Sequence, residues 1–286
     1  MTRYSRLRHQ SSILLSAKTN SVTKDAKVSM ARVEGYRQGA HAMDDVERSD
    51  DWLQGLWRLN AVIAATGQPL YGNLCYDDLQ NDYLTRPPNP ATRPKRDRLR
   101  AAIAGRTRLL EVGVNGGHSA YVALSANPNL SFYGVDICEH PYVRPAIELL
   151  KEQFPGRVSF SAGNSLRILP DLAKSAETFD AFHIDGAKQL YLKDILNCAL
   201  LIDGDSGSLI VDDTQLRSIA WVWRTSVRYG LIRPDPENPP GPTGANDQSG
   251  SGILRALPRW KWRLMKRIHA NFPPLVARAR NRPGSK

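Results

Sequence analysis

The sequence predicts a doubly wound α/β fold on a mostly parallel sheet, and three observations carry that expectation. From about residue 96, short apolar runs alternate with amphipathic stretches of helical length, the signature of strands whose crossovers cover both faces of a sheet. A proline-rich stretch, Arg86 to Pro94, precedes this alternation and cannot continue a helix. Glycines and carboxylates fall where the apolar runs end, the place where an open parallel sheet receives its ligands.

Taken in order, residues 1–50 are polar and irregular, and 51–66 read as a helix. Asp50 or Asp51 caps it, with Trp52, Leu56, Leu59 and Ile63 on one side. After the prolines come a basic helix at 95–104, a strand at 107–114, a helix from about 117, and a strand at 131–137. A helix at 142–153, a strand at 157–161, a helix at 165–174 and a strand at 179–185 follow. A helix at 188–201, a strand at 207–212 and a helix at 215–229 complete the alternation. Two short apolar pieces, 230–232 and 252–257, flank a Pro/Gly/Asn-rich loop and suit a closing hairpin. In helix 215–229, Trp221 and Trp223 cannot both face inward at a spacing of two. The organisation is therefore an extension with an accessory helix (1–95), a main domain (96–258) and a tail (259–286).

With 286 residues, 41% of them apolar, the chain is long enough to bury a catalytic-size core. It has no apolar run approaching the roughly 20 residues of a membrane span. Cys75, Cys138 and Cys198 are too few and too scattered for a disulfide framework or a zinc knuckle, which suits a reducing, cytoplasmic setting. No acidic residue precedes Asp25, and the apolar run Ile13–Leu15 is too short for a secretory signal. The segment reads as a basic lead-in, with an organelle transit peptide as the alternative.

The net charge is +11, but nine Lys and Arg and no acid lie in 259–286, so the body is nearly neutral. In that tail Trp260, Leu264, Ile268 and Phe272 recur every fourth residue. Lys261, Arg263, Lys266 and Arg267 lie off the stripe, and Pro273-Pro274 ends the run. Such a basic amphipathic helix packs on its own core or a partner subunit, or it makes peripheral contact with an anionic membrane. Nucleic acid is not an expected partner, and the oligomeric state stays open.

The turn after the first strand, Leu109-Leu-Glu-Val-Gly-Val-Asn-Gly-Gly-His-Ser119, lacks G-x-G-x-x-G spacing, because Asn115 and His118 stand where glycine is needed. A nicotinamide enzyme is disfavoured. Glycines still allow close backbone approach, and the helix start offers N–H groups to a carboxylate. Glu111 suits a cationic ligand and would repel a pyrophosphate. The second strand ends at Asp136, placed to accept from both ribose hydroxyls. This combination resembles the class I S-adenosylmethionine-dependent methyltransferases over residues 96–257, and E-x-G-V-x-x-G-x-S from Glu111 to Ser119 resembles their small-molecule O-methyltransferase branch. The resemblance implies a Rossmann-like methyltransferase fold. It places Gly113 and Gly117 beside the methionine moiety, Ser119 at its carboxylate, Asp136 at the ribose, and Gly163 and Asn164 in the adenine-side loop.

The fourth strand ends at Asp185 ahead of Lys188 and Tyr191, and the fifth ends at Asp212-Asp213. Three like charges at neighbouring strand ends repel, and a hard divalent ion such as Mg²⁺ relieves that conflict. A metal also lowers the pKa of an acceptor hydroxyl and positions its oxygen. D-x-x-K-x-x-Y from Asp185 to Tyr191 resembles the metal-dependent catechol and caffeoyl-CoA O-methyltransferases. By that resemblance Asp185, Asp212 and Asp213 are metal ligands, and Lys188 is the catalytic base if its pKa is lowered. Asp213 departs from their Asp-Asn pair and is similar instead to the macrocin-type sugar O-methyltransferases. The bland alternative is that Asp212 and Asp213 cap the next helix.

The expected activity is methyl transfer from S-adenosylmethionine to a hydroxyl of a small molecule, an aromatic diol or a sugar, with metal assistance and with the accessory helix as a lid. The alternatives are a metal-independent N- or carboxyl-methyltransferase, and an inactive scaffold acting through the basic tail on membrane or nucleic acid.

Overall fold

The computed structural model describes residues 47, 49–76, 84, 86–236 and 249–270, with side chains to 267. The chain divides into Met1–Ser49 and Asp50–Lys286, and the sheet with all its helices lies in the second unit. The basic lead-in, the centre of the Pro/Gly/Asn-rich loop, and Phe272 with the two prolines after it lie outside the described residues.

In chain order the elements are α1 (Asp50–Ala64), α2 (Arg93–Ile103), β1 (Arg108–Val112), α3 (His118–Ala126), β2 (Ser131–Asp136), α4 (Val143–Gln153) and β3 (Val158–Ala162). There follow α5 (Ser165–Lys174), β4 (Ala181–Ile184), α6 (Tyr191–Cys198), β5 (Ser206–Val211), α7 (Arg217–Arg228), β6 (Ile232–Pro234), β7 (Gly250–Arg255) and α8 (Arg259–Ala270). Single 3₁₀ turns precede α2 and α6. The helix expected over 188–201 thus begins as a 3₁₀ turn, Lys188–Leu190, and tightens the approach to α6.

The sheet order is β3-β2-β1-β4-β5-β7-β6. β1 to β5 are parallel, and β7 runs antiparallel to both β5 and β6. The chain reverses its direction of travel across the sheet between β1 and β4, which opens a crevice at their carboxyl ends. Alternation along the central strands sends side chains to two cores. Leu109, Ala181 and Ile210 join α1, α2, α3 and α4 on one face. Leu110, Phe182, Leu209 and Val211 join α6, α7 and β7 on the other.

The accessory helix belongs to the first of these cores. Leu56, Leu59 and Ile63 of α1 are fully buried with Ala120, Ile147 and Leu150, and Tyr121 Oη donates to the Trp52 carbonyl at 2.6 Å. Arg96, buried on α2, donates to the Leu74 carbonyl at 3.0 Å and to Thr92 Oγ1 at 2.7 Å. These bonds hold the segment between α1 and α2 against the domain, so the proline-rich stretch joins parts of one core. On α7, Trp223 is buried and Trp221 is exposed, as their spacing requires.

Candidate active site

The carboxyl ends of β1, β2, β4 and β5 open into a cleft of about 920 Å³, near the top of the usual range for small-molecule sites. At one end lie Gly113, Asn115, Asp136, Ile137, Gly163, Asn164 and Ser165; at the other lie Lys95, Asp185, Lys188, Asp212 and Asp213. Tyr71 and Tyr76, from the segment after α1, also line it.

The first end is built by backbone geometry. Gly113 has φ +89°, and an added Cβ would collide with the backbone of Asp185 and Gly186, so only glycine lets the two strand ends meet here. Asn115 also has positive φ. Its side-chain amide donates to the carbonyls of Tyr71 and Gly72, and its Oδ1 accepts from Tyr142 Oη at 2.7 Å. The rings of Tyr71, His140 and Tyr142 stack in series at 5.1 Å spacings. Together these contacts latch the segment after α1 onto the β1 turn.

Asp136 has more to do than the expected ribose contact. Its Oδ2 accepts the N–H groups of Val114 and Asn115 at 2.8 and 3.0 Å, and its Oδ1 accepts that of Cys138 at 2.7 Å. A carboxylate has about four acceptor positions, so one remains beyond these three on a residue that lines the cleft. Asn164 caps α5, accepting from the Leu166 N–H at 2.9 Å.

Three residues expected at the cofactor lie away from the cleft. Glu111 is buried between strands, its Oε1 2.6 Å from His183 Nδ1 in the paired register of β1 and β4. Burial alone would lower the His183 pKa, but the hydrogen bond and charge of Glu111, with Asp185 and Asp212 nearby, raise it to about 9. The negative charge of Glu111 is thereby answered in part by His183, while its Oε2 is buried with no hydrogen-bond partner among the described residues. Gly117 is the left-handed cap of α3, set against Leu150, and Ser119 is buried in the first turn of that helix. His118, also buried, shares a 2.9 Å hydrogen bond with Asn60 of α1. Burial lowers its pKa to about 4, so it serves as a neutral packing residue.

At the other end the three aspartates gather around lysines. Lys188 Nζ lies 3.0 Å from Asp185 Oδ1 and 2.8 Å from Tyr191 Oη, and it is paired with Asp213. Lys95 of α2 approaches Asp212 Oδ2 at 3.8 Å. Burial opposes the charge on Lys188, yet Asp185 and Asp213 outweigh it and raise its pKa. That is opposite to the lowering a lysine base requires, and the ammonium sits between the two carboxylates. Asp213 is lowered by Lys188 against the effect of burial. Asp212 is raised to about 6 by burial and by Asp185, against the pull of Lys95 and His183. Neither aspartate caps α7, whose N-cap is Leu216.

A divalent ion shared by Asp185 and Asp213 would have to displace the Lys188 ammonium that bridges them. Among the described residues, no group of three carboxylate, imidazole or thiol side chains is spaced to hold an ion. The expected metal ligand set of Asp185, Asp212 and Asp213 therefore does not fit such an ion as it stands.

Lys95 is the participant that the sequence does not reveal. Its basic helix is visible, but nothing local marks which of its cations reaches a strand end far along the chain. Asn115 carries a usable signal, because an asparagine ahead of two glycines tolerates the left-handed conformation the turn needs.

Residues 110–214 match the family model of a methyltransferase domain, Methyltransf_24. A search of curated proteins returns no match. Among solved structures, the chain is similar to an O-methyltransferase from Bacillus cereus in complex with SAH, with 17% identity and a TM-score of 0.53, covering 72% of this chain and 92% of that one. It is also similar to the O-methyltransferase TomG of Streptomyces achromogenes, which is involved in tomaymycin synthesis and was solved with SAM. That pair has 18% identity and a TM-score of 0.52, covering 73% and 92%. The fold is therefore the Rossmann-like methyltransferase fold. Residues 110–214 thus carry a methyltransferase domain on that fold.

Proposed function

We propose that this protein transfers the methyl group of S-adenosylmethionine to a hydroxyl oxygen of a small molecule. The observation that carries the reading is one continuous cleft with a glycine-lined nucleoside end and an aspartate–lysine end. The similar O-methyltransferases from Bacillus cereus and Streptomyces achromogenes, solved with SAH and with SAM, support it.

S-adenosylmethionine supplies an electrophilic sulfonium methyl when bound. The chain's part is to hold the nucleoside at Asp136, Gly163 and Asn164 and to seat the acceptor between Tyr71, Tyr76 and the aspartates. As the acceptor oxygen bonds to the methyl carbon and the carbon–sulfur bond breaks, the hydroxyl proton passes to a carboxylate. Asp212 is the best suited of the three, because burial and Asp185 push its pKa to about 6, near working pH. Lys188 and Lys95 hold the neighbouring charges in place, and no step is routed through a metal. Aromatic diols and sugars both suit a cleft walled by tyrosine rings and lined with carboxylate acceptors.

The test is calorimetric titration with S-adenosylhomocysteine, then labelled methyl transfer to a panel of diols and sugars with Mg²⁺ or with a chelator. Saturable binding and a base-stable methyl ether formed equally in both media are expected. A base-labile methyl ester or a methylated amine would overturn the O-transfer reading, and activity abolished by the chelator would overturn its lysine-held form. Absence of binding would remove the cofactor assignment.

A further inference from the structure

The tail helix α8 turns Trp260 and Leu264, the two residues of the expected stripe whose side chains are described, outward. Met265 is 5% exposed, and it packs with partly buried Trp262 on the second core, beside α6. Trp260 and Leu264 are 68% and 51% exposed. At about 100° per residue, these two lie roughly opposite Trp262 and Met265. Arg263 and Arg267 flank them on one side and Lys261 on the other. Docking on the domain therefore does not consume the apolar face of this helix; a second pair of residues does the docking.

We propose that this outward face of α8 is a binding surface for an anionic lipid bilayer. An apolar strip of tryptophan and leucine between cations matches the boundary between acyl chains and headgroups, where the indole ring meets both environments. The charge is one-sided, because segment 259–286 has nine Lys and Arg and no acid, so the surface complements a negative leaflet and its attraction is screened by salt. Phosphates of a nucleic acid would use the cations and leave Trp260 and Leu264 in water. No described helix is long and apolar enough to cross a membrane, so the contact is peripheral. This inference is independent of the methyl-transfer chemistry.

The test is co-sedimentation of the full chain with vesicles of neutral phosphatidylcholine, and with vesicles containing a third phosphatidylglycerol. Pelleting with the anionic vesicles alone is expected, weakened at least tenfold by 0.5 M NaCl. The double variant Trp260→Ala/Leu264→Ala should lose at least tenfold while keeping the wild-type melting temperature, because both side chains are exposed. Arg263→Glu/Arg267→Glu should abolish pelleting. No pelleting of the wild type, equal pelleting with neutral vesicles, or an undiminished Trp260→Ala/Leu264→Ala variant would overturn the proposal. So would tight binding of duplex DNA or RNA that competes with the vesicles and survives loss of Trp260 and Leu264.

Discussion

Replacing Glu111 with glutamine tests whether the buried pair under the cleft is ionised. His183 is raised from 6.5 to about 9 in the folded protein, chiefly through Glu111 acting against burial. Between those pH values the folded state holds a proton that the unfolded chain has released, so stability falls as pH rises through the window. At about 1.4 kcal/mol per unit, the shift corresponds to about 3 kcal/mol, present in full below pH 6.5 and lost above pH 9. Glu111→Gln keeps an acceptor near Nδ1 but removes the charge. The variant should therefore be about 2–3 kcal/mol less stable than wild type at pH 6, and should nearly match it above pH 9. Urea denaturation followed by circular dichroism at half-unit steps from pH 6 to 9.5 measures both curves. Parallel curves across this range would refute the argument, as would an NMR titration placing the His183 imidazole below pH 7.

Gly113→Ala would place a methyl group against the Asp185 backbone at φ +89°, costing about 1–3 kcal/mol in strain. It should lower the melting temperature and weaken S-adenosylhomocysteine at least tenfold by calorimetry; unchanged affinity would show that the turn does not shape the nucleoside end. Asp194 is buried, accepts from Ser165 Oγ at 2.7 Å, and is raised by burial from 3.8 to about 7. The folded state therefore binds the extra proton between those values, and ionisation destabilises it as pH rises. Asp194→Asn should match wild type near pH 4 and exceed it by up to about 4 kcal/mol above pH 7; an equal or lower stability at pH 8 would contradict that assignment.

The sheet is legible in the sequence because each of the five parallel strands is a short run that ends in or is followed by glycine or a carboxylate, and two-residue alternation divides the runs between two cores. Helix positions come from 3.6-residue periodicity, as at α5, whose observed bounds, Ser165–Lys174, are the expected ones. What fails to show is direction. In the tail, a stripe at every fourth residue reads as one face, yet Trp262 and Met265, off that stripe, pack on the domain. Periodicity identifies which residues share a face, while the surface that face meets depends on neighbours far away in the chain. Glu111 shows the same limit. Its place in the glycine turn suggests a ligand contact, but strand position sends its side chain between sheet partners, where His183 meets it.

The aspartate cluster separates local from distant information most sharply. Lys188 follows Asp185 by three residues, so one tight turn returns its ammonium to the carboxylate, and that contact can be foreseen from spacing. Lys95 reaches Asp212 because α2 packs beside β5, an arrangement fixed by the burial of Leu99 and Ile103 in the first core. Three carboxylates considered alone call for an external cation; with Lys188 from the turn after β4 and Lys95 from α2, two internal ammonium groups answer most of their charge. A metal expectation from strand-end aspartates therefore depends on which cations the rest of the fold delivers, and here the segment before β1 supplies one of the two.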